Sequence, residues 1–284
     1  MREHLDRSRS RLLDQVRSLT MHDDRVIALV AYGSDALGRA DAWSDLDLVV
    51  FVRDDSLAEL RAGWRKWLGA IDGMLLMYEA GGSPRAIFTG QPTAIRVDLT
   101  FIAAGLAAST LRQWSHLRQM DPDRFVLLDK SPSRSIAAAA KLSSEQAAEA
   151  IDLSALFAQS AGDIWYYLLR IHAYLQRGEE MIARTEYQWL VINSLATLMR
   201  IEAGSLSHWG TGQPANRLNG QVAVQRLAQL TDCTPDATLS SLRQKCLVAS
   251  RLGAELCQAL ADRHAWAWPS ELCGVVDRSF QDRV

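Results

Sequence analysis

The chain has 284 residues, of which 48% are apolar and 23% are charged, and its formal net charge is -2. This composition excludes a disordered chain, and the length favours two domains. Because the charge is nearly balanced, the sequence lacks the basic excess expected of a protein whose main partner is nucleic acid. We therefore expect a folded two-domain protein with no nucleic-acid partner.

The beginning of the chain and the cysteines do not indicate export. Residues 1–11 are charged and contain no apolar segment typical of a signal peptide, and no apolar run has the length of a membrane span. The cysteines lie at spacings that match no zinc or redox motif. We expect a cytoplasmic protein with free thiols and no membrane contact.

The first predicted elements are a helix and two strands. Apolar residues recur at helical spacing over residues 5–19. Residues 26–32 and 46–52 are short runs rich in β-branched and aromatic side chains, as expected of adjacent strands. Gly33-Ser34 and ten further residues separate Asp45 from the first run.

Two aspartates open the second strand. Side chains at i and i+2 share a face of a strand, so Asp45 and Asp47 lie side by side. Neighbouring carboxylates disfavour each other's ionisation unless a cation lies between them. Mg²⁺ takes oxygen ligands and commonly binds together with substrate phosphates. Gly33 lets backbone N–H groups approach an anion closely, and a helix starting there directs further donors at phosphate.

A helix and three more strands are predicted next. Ser56 and Glu59 have the spacing of a capping box at the start of the helix. The strands are predicted at residues 74–79, 85–89 and 95–102. In the last strand, alternation places Asp98 on the polar face. Aspartate is depleted in strands, so a metal shared with Asp45 and Asp47 would explain it, and an exposed strand face is the alternative.

The remaining pattern is mostly helical. A helix at residues 106–117, a strand at 125–128 and a linker at 129–133 complete the first predicted domain. Later helices are predicted up to Gly178 and at residues 180–202, 222–230 and 239–260, with a loop at 210–220. We therefore predict an α/β (α+β) domain with a mixed sheet at residues 1–130, followed by an all-α helical bundle at residues 131–284.

Gly33-Ser34, Asp45-x-Asp47 and Asp98 together resemble the signature of the DNA polymerase β-type nucleotidyltransferase superfamily. The helical second half resembles the small bacterial enzymes that nucleotidylate antibiotics. Residues 19–52 are most similar to lincosamide nucleotidyltransferases, as is the Arg177-Gly178-Glu179 turn, and aminoglycoside adenylyltransferases are nearly as similar.

This resemblance implies transfer of a nucleotide, expected to be AMP from ATP, to a hydroxyl of a lincosamide or aminoglycoside, with release of pyrophosphate. It implies two Mg²⁺ ions bound by Asp45 and Asp47, with Asp98 completing the one that activates the acceptor hydroxyl. Gly33 and Ser34 are expected to bind the β and γ phosphates.

The other candidate residues are less specific. Asp98 and Glu79 are the candidates for a general base. In the second domain Arg177, and also Arg170, are expected to reach phosphates, the alternative being a solvated helix face. An aromatic cluster there is expected to wall a ligand or to belong to the core: Trp165, Tyr166, Tyr167 and Trp189. His208 is expected to be structural or exposed.

Two other functions remain open. A nucleotidyltransferase that modifies a protein or a tRNA end would be favoured by a basic patch on the bundle, and the sequence contains none. A non-catalytic nucleotide-binding protein predicts that a carboxylate is missing, whereas all three are present. Either a monomer or a homodimer is compatible with the sequence.

Overall fold

The computed structural model describes residues 2–41, 43–91, 93–114, 120–145, 151–206, 214–215 and 218–281. The chain divides into two compact units, Met1–Glu149 and Ala150–Val284. Among the described residues, no helix combines the length and the apolar character that crossing a bilayer requires.

The first unit is a sheet of six strands with helices packed against it. Its elements are α1 (Arg2–His22), β1 (Val26–Ala31), α2 (Gly33–Ala36), β2 (Leu46–Val52), α3 (Leu57–Leu68), β3 (Met74–Ala80), β4 (Ser83–Phe88), β5 (Ile95–Ala103), α4 (Ala107–Gln113), α5 (Pro122–Phe125), β6 (Val126–Asp129) and α6 (Ser135–Ser144). The strand order is β3-β4-β5-β2-β1-β6. Strands β2 and β5 are parallel and the other neighbours are antiparallel, so the predicted mixed sheet is confirmed.

The two central strands are buried along almost their whole length. Ile27 is the only residue of β1, and Asp47 the only residue of β2, that is not fully buried. Helix α1 contributes Leu12 and Val16 to this core, and α3 contributes Trp64. Because the strand that carries Asp47 is packed on both faces, it provides a rigid support for that carboxylate.

The capping box predicted at the start of α3 is wrong. The Ser56 hydroxyl donates a hydrogen bond to the Asp55 carboxylate at 2.7 Å, and Glu59 forms an ion pair with Arg25 at 2.8 Å. A 3₁₀ turn over Asp54–Ser56 precedes the helix, so Ser56 already has helical backbone angles (φ −108°, ψ −6°). A capping serine needs an extended backbone to reach the free N–H groups of the first turn.

Every element of the second unit that the structure describes is helical. The helices are α7 (Leu153–Gln176), α8 (Glu180–Glu186), α9 (Ile192–Ala203), α10 (Val224–Asp232), α11 (Leu239–His264) and α12 (Glu271–Gln281). A π-helical turn over Tyr187–Val191 joins α8 to α9, so the helix predicted at residues 180–202 is nearly continuous. The four cysteines of this unit are free thiols. The predicted helical second half is confirmed, and α12 was not predicted.

The boundary between the compact units lies later than the predicted boundary at residue 130. Helix α6 packs against α4, α5 and β6, which brings it into the first unit. The predicted linker is a tight turn, because the Asp129 carboxylate accepts hydrogen bonds from the backbone N–H groups of Ser131 (2.9 Å) and Ala137 (2.8 Å). These bonds tie the start of α6 to the end of β6.

Some predicted features fall outside the described residues. They include most of the loop predicted at residues 210–220 and also His208. Helix α4, predicted to extend to residue 117, ends at Gln113, and residues 115–117 are likewise outside the described part of the chain.

Candidate active site

Asp47 and Asp98 lie side by side on one face of the sheet. They are paired in register across the parallel strands β2 and β5, and residues paired in this way project to the same face. Burial, together with the carboxylates of Asp45, Asp98 and Asp35, raises the pKa of Asp47 to about 6. The three predicted aspartates are therefore close enough to influence one another electrostatically.

This face is exposed along β5, because the apolar side chains of that strand point the other way. Phe101 packs edge-on against Trp67 of α3, with 5.7 Å between ring centroids. Asp98 alternates with those buried residues and stays half-buried. Partial burial raises the pKa of Asp98 above its ordinary value, and the nearby Arg85 guanidinium opposes that shift. The predicted alternation along residues 95–102 is confirmed.

Gly33 lies against the Asp47 carboxylate. Its φ is +60°, and a Cβ atom built at this position would overlap an oxygen of Asp47. The preceding residue, Tyr32, donates its backbone N–H to the Asp47 carbonyl at 2.8 Å. A glycine is therefore required twice, once for the left-handed backbone and once for the close approach. The short helix α2 starts at this glycine, as the sequence predicted.

Ser34 follows Gly33 in the first turn of α2. Its hydroxyl oxygen is buried and has no hydrogen-bond partner among the described residues. A buried polar atom without a partner loses the hydrogen bonds that it would make in water. The Ser34 hydroxyl is therefore a buried polar group, next to Gly33 in the chain, whose hydrogen-bonding capacity is unused among the described residues.

Two arginines that the sequence analysis did not select flank the aspartates. The Arg85 Nε atom lies 3.5 Å from Asp98 Oδ1, and the Arg96 Nη2 atom lies 3.7 Å from Asp45 Oδ2. Arg96 could have been found, since alternation along β5 places it on the same face as Asp98. Arg85 could not, because only the pairing of β4 with β5 puts it opposite Asp98.

A third arginine, Arg9 of α1, was also missed. Its Nη2 atom donates to the Asp45 carbonyl at 2.8 Å and forms an ion pair with Asp35, and its Nε atom donates to the Ser44 carbonyl at 3.2 Å. The burial of Arg9 could have been predicted from its position on the apolar stripe of α1, one turn before Leu12.

Glu79 is not brought to the aspartates. It accepts a hydrogen bond from Trp64 Nε1 at 2.7 Å, on the face of the sheet that α3 covers. Its neighbour Tyr78 is paired with Arg85, which is paired with Asp98, so alternation directs Glu79 to the opposite face. We therefore withdraw Glu79 as a candidate base.

The remaining candidates belong to the second unit. Arg177 is exposed at the end of α7, and its expected contact with phosphate stays a prediction. Arg170 pairs with Glu186 at 2.5 Å. Trp165 is fully buried and belongs to the core, whereas Tyr166 and Trp189 are largely exposed.

The aspartates do not form a ready-made metal cage. In the part of the chain that the structure describes, no group of three or more histidine, cysteine, aspartate or glutamate side chains is arranged to hold a metal ion. Asp98 and Asp45 each have an arginine partner instead. The arrangement is an open carboxylate face beside a glycine-containing turn.

Known proteins were compared with this chain in sequence and in structure. Curated protein sequences give no match. Among solved structures, the chain is similar to an aminoglycoside 6-adenyltransferase from Bacillus subtilis, with 14% identity, a TM-score of 0.43, and coverage of 94% of this chain and 95% of that chain. It is also similar to a nucleotidyltransferase-like protein from Exiguobacterium sibiricum, with 14% identity, a TM-score of 0.37, and coverage of 96% and 80% respectively.

The sequence profile of the streptomycin adenylyltransferase family matches residues 6–277. This match spans nearly the whole chain and includes the Gly33-Ser34 turn and all three aspartates. The resemblance to nucleotidyltransferases is therefore confirmed at the level of the family, and the protein is an enzyme of the nucleotidyltransferase class. The greater similarity of residues 19–52 to lincosamide nucleotidyltransferases stays a prediction. The chain belongs to the streptomycin adenylyltransferase family, within the DNA polymerase β-type nucleotidyltransferases.

Proposed function

We propose that this enzyme transfers an adenylyl group from ATP to a hydroxyl of an aminoglycoside and releases pyrophosphate. The observation that carries the proposal is the contact of Gly33 with Asp47 beside the paired Asp98. In this contact, a glycine-containing turn that can bind phosphate lies next to carboxylates that can bind the metal ions of a metal-bound triphosphate. Membership of the streptomycin adenylyltransferase family supports an aminoglycoside as the acceptor.

The aspartates fit a divalent cation such as Mg²⁺. Carboxylate oxygens are the ligands that this ion prefers. The pKa of Asp47 is raised first by burial and then by the neighbouring carboxylates, whose negative charge a cation would relieve. We assign Asp45, Asp47 and Asp98 as ligands, for two ions in total. When bound, Mg²⁺ neutralises charge on the triphosphate and makes the acceptor hydroxyl more acidic.

Metal binding requires Asp45 and Asp98 to exchange their arginine partners for the ion. Both ion pairs are long, at 3.7 Å and 3.5 Å, and the arginines are exposed. Solvated pairs of this kind contribute little to stability, so they present a small obstacle. Once released, Arg85 and Arg96 are free to contact a phosphate or an acceptor oxygen.

The residues of this chain then divide the remaining work. The backbone N–H groups at Gly33 and Ser34, together with the Ser34 hydroxyl, bind the β and γ phosphates. Asp98 accepts the proton of the acceptor hydroxyl, whose oxygen forms a bond to the α-phosphorus while the bond to the pyrophosphate oxygen breaks. Partial burial raises the pKa of Asp98 in the metal-free protein, and a carboxylate within reach of the acceptor hydroxyl can act as a general base. We also propose that Arg177 contacts a phosphate of the nucleotide.

The decisive experiment measures pyrophosphate release with Mg²⁺. ATP, GTP, CTP and UTP are each tested against streptomycin, other aminoglycosides and lincosamides. We expect release with ATP and an aminoglycoside. Release with a lincosamide alone would refute the aminoglycoside as acceptor and support the class suggested by residues 19–52. The absence of release with every pair would refute the proposal altogether. The cytoplasmic location and the monomeric or dimeric state stay predictions.

A further inference from the structure

Arg9 is a buried cation beside the two segments that form the candidate site. It lies on α1 on the same helix face as Leu12 and Val16, which pack in the core of the first unit. Only 8% of its side chain is exposed. Arginine is almost never buried to this extent unless its charge and its donors have partners.

The partners of Arg9 belong to two different segments. The Ser44 and Asp45 carbonyls, which accept at 3.2 Å and 2.8 Å, lie directly before β2 and its Asp47. The Asp35 carboxylate, which forms the ion pair, lies in α2 directly after Gly33 and Ser34. One guanidinium therefore joins the metal-binding segment to the phosphate-binding turn.

The segment before β2 has further bonds, but they are local or exposed. The Asp41 carboxylate accepts from the Trp43 backbone N–H at 3.0 Å and from the Ser44 hydroxyl at 2.8 Å, which shapes the turn internally. The exposed Arg96 donates a hydrogen bond to the Trp43 carbonyl at 3.4 Å. By contrast, the bonds from Arg9 are partly buried and attach this segment to a helix that packs in the core.

We propose that Arg9 is a positioning residue, which holds the backbone at Asp45 at a fixed distance from the turn at Gly33. The effect of this positioning on catalysis rests on the proposed function. The planar guanidinium donates in several directions at once, whereas a lysine ammonium carries the same charge without this forked geometry. Arg9→Lys therefore separates the geometric role from the charge.

The test compares Arg9→Lys and Arg9→Met with Arg17→Lys, a matched control at an exposed position of the same helix. Hydrogen–deuterium exchange is measured on peptides that cover residues 33–47, and Mn²⁺ affinity is measured without nucleotide. We expect several-fold faster exchange in that region and weaker Mn²⁺ binding in Arg9→Lys. We also expect kcat/KM to fall by about 100-fold, mainly through kcat, because small misplacements of catalytic groups have effects of this size. Arg17→Lys should match the wild type.

The outcomes separate positioning from folding. Wild-type exchange and kcat in Arg9→Lys would overturn the inference, even if Arg9→Met fails to fold. Faster exchange throughout the first unit would also overturn it, since that result indicates a general loss of stability. If the wild-type enzyme releases no pyrophosphate with any acceptor, the proposed function fails, and exchange over residues 33–47 still decides the role of Arg9.

Discussion

Replacing Gly33 by alanine adds a single methyl group at the contact between the turn proposed to bind phosphate and the strand proposed to bind metal. The new Cβ atom would overlap the Asp47 carboxylate. Since β2 is buried on both faces, the strand resists displacement, and the Asp47 side chain or the turn must move instead. Either movement separates groups that are proposed to act on the same triphosphate.

The expected effect of Gly33→Ala has two parts, one on stability and one on catalysis. A left-handed backbone at φ +60° disfavours alanine by roughly 1–2 kcal/mol, which lowers the free energy of unfolding by about that amount. Displacement of Asp47 adds a catalytic loss of about 100-fold in kcat/KM, as expected for misplaced reacting groups. The second part is specific to position 33.

Gly81→Ala is the matched control for this prediction. Gly81 has nearly the same φ, +58°, but a Cβ atom there would meet no atom within 4 Å. Chemical denaturation and pyrophosphate release are measured for both variants. We expect similar losses of stability, with lost activity only in Gly33→Ala. Equal activity in the two variants would refute the reasoning, since it would mean that the overlap with Asp47 has no catalytic consequence.

Three further predictions concern the carboxylates. Asp47→Asn should abolish pyrophosphate release without loss of thermal stability, because it removes a proposed metal ligand and also relieves repulsion between carboxylates. Wild-type rates would contradict the metal assignment. The pKa of Asp47 is raised from 3.8 to about 6, so the free energy of unfolding that this carboxyl contributes to the metal-free protein is fully present below pH 3.8 and is lost as pH rises through 6. Mg²⁺ affinity, measured by calorimetry, should fall when pH drops below 6, because Asp47 is then protonated. Glu79→Gln should keep kcat within a few-fold of wild type, since the amide oxygen can still accept from Trp64, whereas Asp98→Asn should lose at least 100-fold.

Local patterns in the sequence determined most of the fold and the centre of the site. Alternation along residues 95–102 predicted the polar face of β5 that carries Asp98. Asp45 and Asp47 interact electrostatically as predicted, although Asp45 lies just before β2 and not within it. Such patterns succeed because the side-chain period of a strand depends only on the chain itself. The turn at residues 129–133 shows the limit, since its composition is typical of a linker while its hydrogen bonds attach α6 to the sheet.

Only the tertiary structure decided which distant residues share the site. The parallel pairing of β2 with β5 put Asp47 opposite Asp98, and the order β3-β4-β5 brought Arg85 to the aspartates while directing Glu79 away from them. The packing of α1 brought Arg9 to the carbonyl of Asp45. Strand order, register and helix packing arise from contacts between residues far apart in the chain. No local pattern around Arg85 or Glu79 therefore predicts their partners, and the apolar stripe of α1 predicts only that Arg9 is buried.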